Sequence, residues 1–411
     1  MNLDRYTGIL GIIIILILGY VFSNNKKLIS YKLIIVGLFL QFITGIFILK
    51  VPLGKKITEL IARGISTILD TSKEGAGFVF GFLVDKNILN ERLHIHNSYI
   101  FATQVIPTII FVCSLVSIFY YFGILQKVVR IFAWIFNKLL GVSGAEALAN
   151  SACVFVGQVE SAIVIQPYLS KLTKSELLTV MTGGMACISG ALMLVYSSLG
   201  VKIEYLLAAS FMAAPGSFVI SKLFYPEDST PVTKDTVTVE YKTKENSLIE
   251  AILDGAYNGA KISIGIIAML IAFISLVALV DKMLLLFNSH LSLKFILGYI
   301  FSPIIYFLGV PKNEVMTVAQ LFGTKLALNE FIAYLDLSKL ITTNALSPKS
   351  IAITSFLLCG FANFGSIGIQ VGGLSQMSPE RKSELSKLGF KAMICGALVS
   401  CISGCMVGML V

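Results

Sequence analysis

The chain is poor in charged residues, and this scarcity excludes an ordinary water-soluble protein. Only 13% of its 411 residues are Asp, Glu, Lys or Arg, whereas 56% are hydrophobic. A typical soluble domain carries roughly 25% charged residues. A chain this apolar cannot cover its surface with polar groups in water, so its solvent is expected to be lipid. The composition therefore predicts a multi-pass protein of the cytoplasmic membrane.

Histidine is also scarce, and cysteine shows no pattern of metal ligands. The three histidines and seven cysteines lack both the spacing of a metal site and that of a secreted disulfide framework. His94-x-His96 is more typical of a solvated outer loop than of a metal centre. We therefore expect no metal and no cofactor. A membrane enzyme would need a metal or nucleophile cluster, and a channel would need a ring of pore-lining charges. The sequence shows neither and predicts no enzyme.

Basic residues outnumber acidic ones, but their distribution is that of membrane loops. The net charge is +9, and Lys and Arg fall in short gaps between apolar runs, which argues against a nucleic-acid binder. Lys26, Lys27 and Lys32 follow the first apolar run, whereas only Arg5 precedes it. Cytoplasmic loops carry such an excess of basic residues. This bias places the N-terminus outside, and the count of spans then places both termini outside.

Long apolar runs predict about eight transmembrane helices, since a span needs about 20 mostly apolar residues. The runs lie at residues 8–22, 33–50, 98–121, 175–200, 203–223, 263–280, 347–370 and 389–410. Two further segments, 51–97 and 124–140, mix basic residues with aliphatic and aromatic ones. That mixture is typical of helices lying in the outer and the cytoplasmic interface.

Two apolar segments are too polar and too interrupted to face lipid. Residues 143–170 include Gln158 and Glu160, and residues 314–336 include Glu330. Irregular backbone at membrane depth is tolerated only inside protein or beside a cavity. Both segments are therefore predicted to be re-entrant helical hairpins, the first entering from the cytoplasm and the second from outside.

Each predicted hairpin is followed by an interrupted span and a continuous span. Such a recurrence with opposite orientation is an inverted repeat, and it indicates a substrate site near the membrane midplane. Glycines at the interruptions also serve close helix packing, but packing does not require acidic and amide side chains beside them. The predicted fold class is an all-α polytopic membrane protein with two hairpins in an inverted repeat.

Ionisable residues inside the membrane are functional candidates. Glu160 and Glu330 supply acceptors, Gln158 and Asn363 supply amides, and Ser366 supplies a hydroxyl. These groups suit a neutral heterocyclic solute with many hydroxyls. Two acids with no opposing arginine argue against an anionic substrate.

The motifs that carry these residues resemble those of the concentrative nucleoside transporters. They are Gly157-Gln158-Val159-Glu160 with Pro167-Tyr168-Leu169, Asn329 to Tyr334, Phe361 to Ser366, and Gly77-Phe78-Val79-Phe80-Gly81. The resemblance covers essentially the whole chain, in order and at the expected spacing.

The resemblance implies a homotrimer in which a scaffold domain holds a transport domain that moves as an elevator. It divides the chain into residues 1–121 (scaffold spans and outer interfacial helix), 122–142 (cytoplasmic interfacial helix), 143–223 (first half of the transport domain), 224–313 (cytoplasmic loop, scaffold span and outer helix) and 314–411 (second half of the transport domain).

The resemblance also assigns roles to the site residues. Gln158 and Glu160 face the nucleobase, with Leu192 in apolar contact. Glu330, Asn363 and Ser366 hold the ribose, with Phe361 nearby. The remaining members of the expected substrate-binding set are Gly157, Val159 and Asn329. Lys325 lies in the same hairpin, and the sequence leaves open whether it does more than neutralise a nearby carboxylate.

The chain departs from the sodium-coupled pattern of that family. Where side-chain oxygens hold the ion, it has Cys153 and Cys187, and the carbonyl positions correspond to Val156 and Ile188. A thiol is a poor ligand for a hard cation. We therefore expect a proton rather than sodium as the coupling ion, carried by Glu160 or Glu330.

Two alternatives stay open from the sequence. Backbone carbonyls and water at the thiol positions could still hold sodium. A carrier of free nucleobases, or of another small polar solute, would also suit the polar groups. A second departure from the family, Val159 in place of Thr or Ser, removes one hydrogen-bonding group near the base.

Overall fold

The computed structural model describes residues 7–84, 100–234, 246–288 and 291–411, and within these ranges the protein is helical without any strand. The predicted all-α class is therefore confirmed. The helices, in chain order, are α1 (Thr7–Val21), α2 (Tyr31–Leu49), α3 (Pro52–Phe80), α4 (Phe101–Gln104), α5 (Ile106–Tyr121), α6 (Ile124–Leu140), α7 (Gly144–Cys153), α8 (Glu160–Ile163), α9 (Gln166–Leu169), α10 (Lys174–Ala186), α11 (Gly190–Ser198), α12 (Ile203–Phe224), α13 (Leu248–Leu285), α14 (Leu293–Phe307), α15 (Val315–Ala327), α16 (Glu330–Thr342), α17 (Pro348–Leu358), α18 (Phe364–Met377) and α19 (Lys382–Leu410).

Six helical stretches in the described ranges are long and apolar enough to cross a membrane. They are Tyr31–Leu49, Ala102–Tyr121, Lys174–Ser198, Ile203–Phe224, Leu248–Leu285 and Pro379–Leu410. Shorter apolar helices occupy Thr7–Val21, Leu293–Phe307 and Pro348–Leu358. The expected span at 263–280 is only the middle of α13, which runs for 38 residues. His94 and His96 lie outside the described residues.

The two expected interfacial helices each form one continuous amphipathic helix. Of the expected segment 51–97, residues 85–97 lie outside the described residues, and Pro52–Phe80 forms α3, which has Pro52 in its first turn and is mostly exposed along its length. The helix α6 is bounded by Gly123 and Gly141, both with left-handed backbone (φ +70 and +67). Glycine adopts this conformation without the steric cost that a Cβ imposes. The exposed side of α6 carries Trp134 beside Lys138, as an interfacial helix requires.

The first two helices pack closely on the interior of the protein. Gly37 of α2 lies against Val219 of α12, since a Cβ at this glycine would be 2.4 Å from the Val219 Cγ2 atom. Gln41 of the same helix donates to Ser403 Oγ of α19 at 2.9 Å. Another pair of helices, α5 and α13, lies together through Gly255 and Gly259, whose surroundings leave no space for a Cβ. Small residues let membrane helices approach in this way.

Two helical hairpins form as expected in the polar segments. Hairpin 1 consists of α7, α8 and α9, and hairpin 2 of α15 and α16. The span after each hairpin is broken. The first helix break, residues 187–189, separates α10 from α11, and the second, residues 359–363, separates α17 from α18. The order of hairpin, broken helix and continuous helix thus recurs along the chain.

Each hairpin is anchored at its base by a carboxylate. Glu146 accepts from Ser143 N–H in a capping box at the start of α7, and its other oxygen lies 2.8 Å from Lys222 Nζ of α12. Glu314, at the start of hairpin 2, accepts from Ser347 N–H and Oγ at the start of α17. The hairpin bases are therefore fixed, and their tips lie at the helix breaks.

Candidate substrate site

The second helix break contacts the end of α10, next to the first break, in the buried interior of the protein. Gly360, in the second break, has φ +112, and a Cβ there would lie 2.5 Å from the carbonyl oxygen of Ala186, the last residue of α10. Only glycine combines this left-handed backbone with so close an approach. The contact brings together residues that are more than 170 positions apart in the chain, and the hairpin tips meet the breaks here.

Glu330, at the tip of hairpin 2, is held by two donors. Tyr196 Oη of α11 donates to Glu330 Oε1 at 3.1 Å, and Asn363 Nδ2 donates to Glu330 Oε2 at 3.0 Å. All three side chains are buried. The carboxylate is therefore fixed where hairpin 2, α11 and the second helix break meet. Glu330 and Asn363, both predicted from the sequence, are in contact.

Both asparagines of the site cap helices that begin there. Asn329 Oδ1 accepts from Ile332 N at 2.8 Å at the start of α16. Asn363 Oδ1 accepts from Ser366 N at 2.8 Å at the start of α18. The positive ends of two helix dipoles thus face the same region. Asn329 Nδ2 is buried and has no hydrogen-bond partner among the described residues, so it is available to an acceptor on a substrate.

The tip of hairpin 1 supplies the second group of predicted residues. Gln158 is buried beside Gly184 of α10, and its Oε1 has no partner in the described part of the chain. Glu160 is exposed, and its carboxylate lies over Gly157, where a Cβ would be 2.1 Å from Oε2. An unpaired buried amide oxygen is costly, so Gln158 is prepared to accept a hydrogen bond from a ligand.

The apolar members of the predicted set lie at the edges of this region. Leu192 is buried in the first turn of α11, which Ser189 caps. Phe361 is half-buried in the second helix break. Val159 packs against Gly373 of α18, where a Cβ would lie 2.5 Å from its Cγ1. Val159 therefore serves as a packing contact between hairpin 1 and α18.

Cys153 and Cys187 lie in a separate part of the site, which we call the thiol corner. Cys153 Sγ donates to Ser161 Oγ at 3.0 Å, within hairpin 1, and Cys187 Sγ donates to Ser210 O of α12 at 3.9 Å. Val156 and Ile188 are buried beside them. Both thiols thus direct hydrogens, rather than lone pairs, toward nearby oxygens.

Comparisons with known proteins show which family the chain resembles. Three family models together span most of the chain: Na+ dependent nucleoside transporter N-terminus over residues 10–83, nucleoside recognition over 102–202, and Na+ dependent nucleoside transporter C-terminus over 205–408. The chain is 38% identical over 410 residues to the uncharacterized transporter YutK of Bacillus subtilis, covering 98% of this chain and 99% of that protein. It is 34% identical over 412 residues to the nucleoside permease NupC of Helicobacter pylori, covering 98% and 97%.

A solved structure matches the fold over its full length. The structure of CNTnw in an inward-facing substrate-bound state superposes with a TM-score of 0.94 at 34% identity, covering 100% of this chain and 98% of the other. The chain belongs to the concentrative nucleoside transporter family. It is therefore a membrane transporter and not an enzyme, which confirms both expectations from the sequence.

One residue of the site in this family member escaped the sequence analysis. Tyr196 lies in an apolar stretch, where a tyrosine is typical of a packed core, yet its hydroxyl bonds the central carboxylate. Helical spacing could have found it, because Tyr196 is four residues after Leu192 and residues four apart share a helix face. Tyr334 stacks on it at 4.2 Å between ring centroids and fixes its position.

The structure also shows the contacts of Lys325, whose role the sequence left open. Its ammonium is buried and donates to two backbone carbonyls and one hydroxyl. Among the ion pairs of the described residues, none involves this lysine. Lys325 therefore does not neutralise a carboxylate by direct contact. Asp336, in the same hairpin, pairs instead with Lys294 of α14 and with Lys339.

Proposed function

We propose that the protein imports nucleosides across the cytoplasmic membrane, driven by a proton gradient, with an elevator-type movement of the two hairpins and their broken helices. The observation that carries the proposal is the arrangement at Glu330. A buried carboxylate with two fixed donors, next to a buried amide nitrogen and the starts of two helices, suits a neutral sugar with several hydroxyls. The unpaired Gln158 oxygen on the opposite hairpin suits a donor on the base edge.

The proposal of proton coupling rests on the thiol corner. Cys153 and Cys187 occupy the positions where sodium-coupled relatives are expected to use oxygen, and both thiols act as hydrogen donors to neighbouring oxygens. A neutral thiol is a poor ligand for sodium, a hard cation. A proton needs only a group that titrates, and Glu160 and Glu330 are the candidates. The competing possibility is a sodium site made of carbonyls at Val156 and Ile188, with water.

Uptake into proteoliposomes tests the function and the ion together. Purified protein should take up labelled uridine or adenosine saturably. Replacing sodium by choline at fixed pH should leave uptake nearly unchanged, whereas a protonophore at fixed sodium should abolish accumulation. A steep dependence on sodium with no effect of the protonophore would show that carbonyls and water suffice to hold sodium. Absence of saturable uptake by folded protein would contradict nucleoside transport itself.

The two candidate carboxylates can be separated by substitution. In the variant that lacks the coupling group, nucleoside binding should become independent of pH, because proton binding and substrate binding are linked only through that group. Glu160→Gln and Glu330→Gln are compared by equilibrium binding at several pH values. Competition by free nucleobases, measured in parallel, tests the alternative carrier function, since Glu330 and Asn363 are assigned to ribose.

The assembly and topology that we propose follow the same family pattern. The protein is a homotrimer in the cytoplasmic membrane with both termini outside. Mass measurement in detergent tests the trimer. Labelling of single cysteines placed at residues 7 and 411, in a variant free of the native thiols, tests the orientation with a membrane-impermeant reagent.

A further inference from the structure

A buried lysine that forms no ion pair with any described residue lies behind the sugar half of the site. The Lys325 side chain is fully buried in hairpin 2 and points at the end of α17. Its Nζ donates to Leu357 O at 2.9 Å, to Cys359 O at 3.1 Å and to Ser400 Oγ at 3.2 Å. An ammonium has three donors, so these three contacts use all of them.

The acceptors explain how a charge is tolerated there. The last carbonyls of a helix lack partners within the helix and form the negative end of its dipole. Lys325 neutralises that end of α17, and Ser400 of α19 adds a hydroxyl that itself donates to Cys359 O at 2.7 Å. A buried charge is nevertheless costly, and inside a membrane such residues mark functional positions.

The position of the contacts connects Lys325 to the substrate site. Along hairpin 2, the lysine stands five residues before Glu330. Along the second helix break, its acceptor Cys359 stands four residues before Asn363. One ammonium thus ties together the two segments that carry the Glu330–Asn363 hydrogen bond.

Among the described residues, hairpin 1 has no charged side chain at the equivalent position that joins it to its helix break. Cys153 stands five residues before Gln158, as Lys325 does before Glu330, and Cys187 caps α10 as Cys359 caps α17. Yet the Cys153 thiol bonds Ser161 within its own hairpin. The described contacts therefore give hairpin 2, and not hairpin 1, a fixed charge that reaches its helix break.

We propose that Lys325 is a positioning residue for the sugar half of the nucleoside. Its ammonium clamps hairpin 2 to the second helix break and thereby sets the separation of Glu330 and Asn363. The clamp acts in the absence of any dissolved ion, because the charge is part of the chain. This inference rests on the proposed function, and nucleoside binding by the unmodified protein is therefore measured first.

The test compares Lys325→Met with Lys339→Met in purified protein. Methionine is close to lysine in volume and is also unbranched, but it removes the charge and all three donors. Equilibrium binding of labelled uridine should weaken tenfold or more in Lys325→Met, and should stay within about twofold in Lys339→Met, whose ammonium is exposed on the same hairpin. If the unmodified protein binds no nucleoside, the proposed function fails; if it binds and Lys325→Met binds equally well, the clamp fails.

Combined substitutions distinguish positioning from a general effect on folding. If Lys325 acts through Glu330, then Lys325→Met and Glu330→Gln together should weaken binding by less than the product of the separate effects. Combined with Gln158→Ala, on the other hairpin, the effects should multiply. Multiplicative effects with both partners, or a lowered thermal midpoint with unchanged uridine binding, would overturn the proposal.

A milder variant keeps the test valid if Lys325→Met does not fold. Ser400→Ala removes one of the three acceptors and leaves the charge in place, so uridine binding should weaken about threefold or more. The control is Ser217→Ala, where an equally buried hydroxyl bonds, among the described residues, only the Ala213 carbonyl of its own helix. Equal binding by the two serine variants would overturn the proposal.

Discussion

The side-chain amide of Asn363 donates to Glu330 Oε2 at 3.0 Å and joins the tip of hairpin 2 to the second helix break. The same asparagine uses its oxygen to cap α18 through Ser366 N. Its orientation is therefore fixed from both ends, with the nitrogen toward the carboxylate. A site held in this way loses little conformational freedom when substrate binds.

Glu330→Gln should weaken nucleoside binding far more than Val159→Thr. Glutamine presents an NH₂ group to one of the two donors at this position, Tyr196 or Asn363, and so loses at least one bond to a charged group. Such bonds contribute about 1.5–3 kcal/mol, which is roughly tenfold or more in affinity. Val159→Thr exchanges a methyl group that packs on Gly373. Titration of both variants with labelled nucleoside is the measurement, and equal small losses would mean that Glu330 is structural.

Tyr196→Phe should weaken nucleoside binding by about tenfold, because it leaves Glu330 Oε1 without its donor. Tyr334→Phe is the matched control. Its hydroxyl is equally buried but donates to Ser355 O at 2.8 Å, away from the carboxylate. We expect binding by Tyr334→Phe to stay closer to that of the unmodified protein. The same loss in both variants would show that the stacked ring pair, and not the hydroxyl on Glu330, matters for binding.

Gly360→Ala should destabilise the protein strongly. The left-handed backbone costs about 1–3 kcal/mol for a residue with a Cβ, and the new methyl group would overlap the Ala186 carbonyl. Gly368→Ala is the control, since nothing lies within 4 Å of a Cβ at that glycine. The thermal midpoint in detergent is measured for both. An unchanged midpoint for Gly360→Ala would mean that the two breaks do not pack as described.

Lys222→Met should also lower stability, because it leaves Glu146 buried without its counter-charge. Removing one partner of a buried pair costs about 3–5 kcal/mol. Glu146→Gln introduced together with Lys222→Met should recover part of the loss. Lys234→Met, at an exposed position, should have little effect. Thermal unfolding of these three variants, of Glu146→Gln alone and of the unmodified protein checks this, and additive losses in the double variant would argue against a direct pair.

The sequence predicts the helical class and the polar hairpins well, because charged residues and glycines inside apolar segments are tolerated only where the backbone is shielded from lipid. It predicts lengths less well: α13 is twice as long as the expected span, since its polar first half continues the same helix. Side-chain partners are harder still. Tyr196 shares a helix face with Leu192, but its contact with Glu330 depends on how α11 lies against hairpin 2, and no local pattern encodes that arrangement. The geometry of the Lys325 clamp also depends on the crossing of distant segments.

The contact at Gly360 brings the thiol corner close to the second helix break. The thiol corner includes Cys187 in the first break, the proposed sugar contacts include Asn363 in the second, and Gly360 of the second break packs on the Ala186 carbonyl at the end of α10. Because that contact leaves no room for even a methyl group, a displacement of the end of α10 toward the second break has to be accommodated by the peptide that leads to Asn363.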